Sequence, residues 1–122
     1  MHSLHAALLG SILLISAAPA YAIPPELLQE AEAGDPDVQR TVGFMYGNGI
    51  SVQQNLTEAA KWYRKAAEQG NAEAQYLLGF AYADGLGVEQ SSAEAIKWFE
   101  KAAQQGHESA RLQLQKLRAE NP

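Results

Sequence analysis

The chain has 122 residues, no cysteine and a net charge of −5 at neutral pH, which suits one small domain. The acidic balance excludes a nucleic-acid footprint, because phosphate binding needs clustered Lys and Arg. The missing cysteine excludes disulfide staples and thiolate metal sites, so the domain must hold itself by packing.

The first segment, residues 1–22, carries no charged side chain apart from His2 and His5. Within it residues 6–18 form an unbroken run of apolar and small side chains. As a helix that run rises only about 20 Å, short of the roughly 30 Å hydrocarbon core. Ala20 and Ala22 then supply small residues at the −3 and −1 positions of a signal-peptidase site. The segment reads as a secretory signal cut after Ala22, giving a periplasmic or secreted protein without a stable membrane span. An uncleaved interfacial anchor is the alternative, because the leading residues hold no Lys or Arg. Residues 23–33 form a short helical stub, in which Leu27, Leu28 and Ala31 can cover the exposed end of the next helices.

From Gly34 onward the chain realigns on itself when shifted by 36 residues. Gly34 falls on Gly70 and Gly106, Gly43 on Gly79, Phe44 on Phe80, Tyr46 on Tyr82, and Trp62 on Trp98. The organisation is therefore a repeat over 34–69, a second over 70–105, and a capping helix in 106–122. Each repeat predicts two helices. Helix A begins after a cap residue, Asp35, Asn71 or His107, and places Val38, Val42 and Tyr46, or Ala74, Leu78 and Tyr82, along one face. A glycine-rich loop, residues 47–54 in one copy and 84–90 in the next, ends it. Helix B opens on Asn55 with Glu58, or Ser91 with Glu94, a capping-box pattern. Its apolar face carries Ala59, Trp62, Tyr63, Ala66 and Ala67, repeated as Ala95, Trp98, Phe99, Ala102 and Ala103. No stretch alternates with a strand's period, so the fold class is all-α.

The second unit, GNAEAQYLLGFAYADGLGVEQSSAEAIKWFEKAAQQG, resembles a Sel1-like repeat, a relative of the tetratricopeptide repeats. The resemblance spans Gly34 to about Arg118. It implies a short right-handed α-solenoid of antiparallel helix pairs, about two and a half repeats long, with helix A lining the concave side. It also implies a scaffold or adaptor that binds other proteins. A cysteine-rich branch of the family is associated with β-lactam binding and hydrolysis, and this chain has none of that branch's cysteines.

The residues themselves offer little chemistry. Trp62 and Trp98 recur at one repeat position, so they read as core rather than as ligand-stacking rings. Gly47, Asn48 and Gly49, with Gly85, Leu86 and Gly87, come after helices, whereas phosphate-cradling loops come after strands. Glu58 and Glu94 each stand three residues before a lysine, Lys61 or Lys97, so capping and ion pairing account for them. His107 is a cap without nucleophilic partners. No catalytic, cofactor or metal residues are expected.

What remains is the helix A face, where by likeness to tetratricopeptide grooves a ligand would lie. Its residues are Asp37, Arg40 and Phe44, then Glu73, Tyr76 and Phe80, then Ser109, Leu112 and Lys116. Aromatic anchors mixed with charges of both signs suit an extended peptide, although Phe44 and Phe80 also repeat as core residues would. The expected function is an adaptor for a protein or peptide partner in the cell envelope, with no nucleic acid and no cofactor. Two alternatives stand: a small hydrolase of cell-wall or β-lactam-like substrates, and a subunit completing a larger repeat assembly. A poorly covered end would favour homo-oligomers.

Overall fold

The computed structural model describes residues 22–122; apart from Ala22, the expected secretory signal lies outside the described residues. Six helices run in order: α1 (Pro25–Glu32), α2 (Pro36–Asn48), α3 (Leu56–Glu68), α4 (Ala72–Asp84), α5 (Ser92–Gln104) and α6 (Glu108–Glu120). Helices α2 and α3 make the first unit, α4 and α5 the second, and α6 is a lone helix A. In repeat register α1 is the second half of a helix B, with Ala31 standing where Ala67 and Ala103 stand. Each helix packs chiefly on the next in sequence, which makes the array a short α-solenoid.

The caps act as the sequence indicates. Asp35 Oδ1 accepts from the backbone N–H groups of Asp37 and Val38. Asn71 caps α4 through Ala74 N at 2.9 Å, and His107 Nδ1 caps α6 through Ala110 N at 3.1 Å. Helix B departs from the full capping box in each unit. Asn55 and Ser91 do accept from Glu58 N and Glu94 N, but their own N–H groups bond the carbonyls of Tyr46 and Tyr82 at 2.9 Å. The backbone of helix A thus takes the place that the Glu carboxylate would hold, and it ties the loop to its helix. Helix α2 also runs further than expected, through Gly47 and Asn48 to a left-handed cap at Gly49.

Three apolar clusters run along the array, one per junction. Ile23, Ala31, Val42, Met45 and Trp62 close the first end, helped by Leu27 and Leu28. Trp98 joins Ala66, Ala67, Ala74 and Leu78 in the middle. Phe99, Ala110 and Leu114 seat α6. Both tryptophans are buried core residues, with Lys65 over the Trp62 ring and Lys101 over the Trp98 ring.

Two further devices set the distance between elements. The rings of Tyr63 and Phe99 lie on Gly43 and Gly79, where a Cβ would stand only 2.7 Å from ring carbons. A glutamine ladder links successive units: Gln39 donates to Ala31 O and accepts from Gln69, and Gln75 donates to Ala67 O and accepts from Gln105. Gln39 and Gln75 are buried, and the ladder satisfies them as burial requires.

Helix α6 abandons each of these features at once. In place of Gln75, Gly79, Phe80 and Tyr82 it carries Arg111, Gln115, Lys116 and Arg118, all exposed. That side of α6 is exposed and carries polar residues.

Candidate binding face

The nine residues of the expected groove separate into two kinds. Asp37 and Glu73 are committed to neighbouring units: Asp37 Oδ1 accepts from Asn71 Nδ2 at 2.8 Å, and Glu73 meets His107 Nε2 at 2.6 Å. Because His107 Nδ1 already accepts from Ala110 N, its Nε2 is the protonated nitrogen that donates to Glu73. Tyr76 stacks on the His107 ring at 4.5 Å and meets Phe80 edge to face at 5.2 Å. Phe80 in turn stands edge to face with Phe99 at 5.8 Å. Tyr76 and Phe80 are therefore half-buried supports of the last junction.

The others stay open. Phe44 is 47% exposed and Leu112 52% exposed, and Ser109 and Lys116 face solvent. Arg40 is half-buried and forms no ion pair among the described residues. The phenol of Tyr63 is pushed up to about 12 by burial, an effect that Arg40 eases and Glu73 reinforces. Of the two expected Glu–Lys pairs, Glu58 meets Lys61 at 3.6 Å. The pair of Glu94 with Lys97 does not form, because Lys97 leans over the Trp98 ring instead.

Beside Phe80 two hollows open. The first, of about 150 Å³, lies between the full units and is lined by Gly47, Leu56, Ala60, Tyr63, Leu77, Phe80 and Leu86 among others. Its rim is apolar, with Leu56 37% and Leu86 41% exposed. Leu86 reaches it because the second unit's loop docks on the start of α3. A Cβ on Gly87 would run into the Leu56 carbonyl, and Gly87 takes a φ of 75°. The second hollow, about 480 Å³, lies between the second unit and α6 and is lined by Phe80, Asp84, Gln90, Gln113, Lys116 and Glu120 among others.

Sequence reasoning alone misses these hollows. The first differs between copies at one lining position, where Ala60 carries a methyl and the second unit carries the branched Ile96. Among the described residues no cluster of His, Asp and Glu could hold a metal ion, and no helix is long and apolar enough to cross a membrane.

A family model described as Sel1 repeat matches residues 36–71 and 72–107. Among solved structures the chain is similar to a Sel1 repeat protein from Oxalobacter formigenes, with 42% identity, a TM-score of 0.73, and 74% of this chain against 68% of that one covered. It is similar to c5321, described as a protective antigen of uropathogenic Escherichia coli displaying an SLR fold, with 39% identity and a TM-score of 0.72. That match covers 76% of this chain but 20% of c5321. Helicobacter pylori cysteine rich protein B shares 33% identity at a TM-score of 0.66, over 69% of this chain and 63% of that one. No curated protein matches the chain.

Proposed function

The chain belongs to the Sel1 repeat family, and we infer that it is an exported adaptor or scaffold module that binds an extended segment of another protein on its helix A face. Sel1 repeat proteins mediate protein–protein interaction as a family. The observation that carries the reading for this chain is the apolar hollow beside Phe80. A repeat core normally fills such space, yet here it opens between exposed Leu56 and Leu86. An apolar pocket beside polar groups is the usual form of a recognition site.

Export rests on the apolar run of residues 6–18 and the small residues Ala20 and Ala22. A periplasmic or secreted setting would expose the face to envelope proteins. Sequencing the N-terminus of the purified chain tests this: a start at Ile23 supports export with cleavage, and a start at Met1 opposes it.

The family consists generally of non-enzymatic scaffolds. The cysteine-rich relative from Helicobacter pylori lends this cysteine-free chain no catalytic residue. Turnover in a nitrocefin or peptidoglycan-release assay would contradict the adaptor reading. The main test is capture of envelope proteins by the tagged full chain, run against a version altered on the exposed face. Arg40, Phe44 and Leu112 suit that version; Tyr76 does not, because it supports His107.

A further inference from the structure

We propose that the bound segment carries one Leu- or Phe-sized side chain in the apolar hollow and, beside it, Lys or Arg side chains in the second hollow. This rests on the peptide-binding reading and gives it a chemistry. The two hollows share one side, that of helix A, in successive repeats. Gly47, Asn48, Leu77, Phe80 and Ala81 line the first, and a shift of 36 residues turns them into Ala83, Asp84, Gln113, Lys116 and Leu117, which line the second. The same helix A side has thus been given an apolar chemistry in one repeat and a charged one in the next, and Phe80 lines both hollows.

Ala60 lines the first hollow with a methyl, where the next unit carries Ile96, which does not line the second hollow. Its volume of about 150 Å³ matches a cavity that holds one benzene-sized group, so it admits a single side chain and not a backbone.

The second hollow sets two carboxylates, Asp84 and Glu120, against one ammonium, Lys116. Neither carboxylate is in an ion pair among the described residues. Gln90 spends its amide N–H on Ala83 O at 2.8 Å, which leaves its carbonyl oxygen as an acceptor. The balance there is negative, like the −5 of the whole chain, so a cationic side chain fits and an acidic one is repelled.

Two capped peptides test this, Ser-Phe-Ser-Lys-Lys-Lys and Ser-Phe-Ser-Glu-Glu-Glu, each also made with the charged run first. They are titrated into the full chain and followed by methyl NMR at Ala60, Ala81 and Leu86. The lysine peptides should shift those methyls and bind at least roughly fivefold more tightly than the glutamate peptides. Ala60→Ile, a residue the same position already accepts as Ile96, should abolish the shifts without lowering the melting temperature. Lys116→Gln should tighten the lysine peptides, and Asp84→Asn with Glu120→Gln should weaken them.

Glutamate peptides that bind as well or better would overturn the basic half of the proposal. Unchanged binding to Ala60→Ile, or methyl shifts confined to other sites, would overturn the apolar half. So would capture of a second copy of the chain in place of either peptide. If Ala60→Ile still captures the native chain's envelope partner, this inference fails and the adaptor reading stands. If the native chain captures no partner at all, the adaptor reading itself fails.

Discussion

The Phe99 ring lies across Gly79 so closely that a Cβ there would stand 2.7 Å from Cδ1 and Cε1. Phe99 is fully buried and has nowhere to retreat. In an open helix Gly→Ala is stabilising by up to about 1 kcal/mol. Here the close contact wins, and Gly79→Ala should destabilise by about 1–3 kcal/mol in urea unfolding. Gly43→Ala, against the Tyr63 ring, should do the same. A gain of stability in either variant would show that the ring contact does not set the spacing of helices A and B.

Trp98 is the core of the middle junction, and its indole Nε1 is buried without a hydrogen-bond partner. Trp98→Ala should cost roughly 3–5 kcal/mol by removing a large side chain from packed surroundings. Trp98→Phe removes the unpartnered N–H along with part of the ring, so its cost should stay below about 1.5 kcal/mol. Comparing the two denaturation midpoints checks both the burial and the orphaned donor.

His107 joins two interactions in one ring, capping α6 through Nδ1 and meeting Glu73 through Nε2. Replacing it with Ala should cost about 1–2 kcal/mol, mostly through the lost cap. His107→Asn keeps a capping oxygen, as Asn71 does, and should recover most of that loss. Amide hydrogen exchange at Ala110 reports the cap directly, rising in the Ala variant and staying low in the Asn variant.

Tyr63 gives the fold an alkaline limit. Burial raises its phenol from 10.0 to about 12, so the folded state holds the neutral form while the unfolded chain ionises earlier. The stability this contributes is present below pH 10 and is lost as pH rises from 10 through about 12. Stability should therefore fall across that window, and Tyr63→Phe should flatten the fall. Equal slopes in the two proteins would contradict the assignment.

Much of this was legible in the chain because repetition writes structure twice. The 36-residue period, the caps at Asp35, Asn71 and His107, and the inward tryptophans all rest on residues whose chemistry is local. The missed features depend on partners far apart in sequence. The Gln39 and Gln75 ladder left only an identity between copies as its signal. Asp37 and Glu73 read as ligand contacts, but the next unit's cap residue occupies each of them. The apolar hollow depends on where Leu86 lands after the loop docks at Gly87, and that geometry has no local code. Position 51 shows the same dependence. Ser51 takes a φ of 62° where Gly87 takes 75°. At Gly87 the start of α3 leaves no room for a Cβ.

The most direct test of the binding role is capture from the cell envelope by the full chain, tagged after Pro122. It is run beside a version carrying Arg40→Ser, Phe44→Ser and Leu112→Ser, changes at accessible positions outside the buried core. The expected result is a partner held by the native chain and lost with the altered one, at equal helicity and melting temperature. Equal recovery of that partner by both, or recovery of nothing but the chain itself, would contradict a binding role for the helix A face.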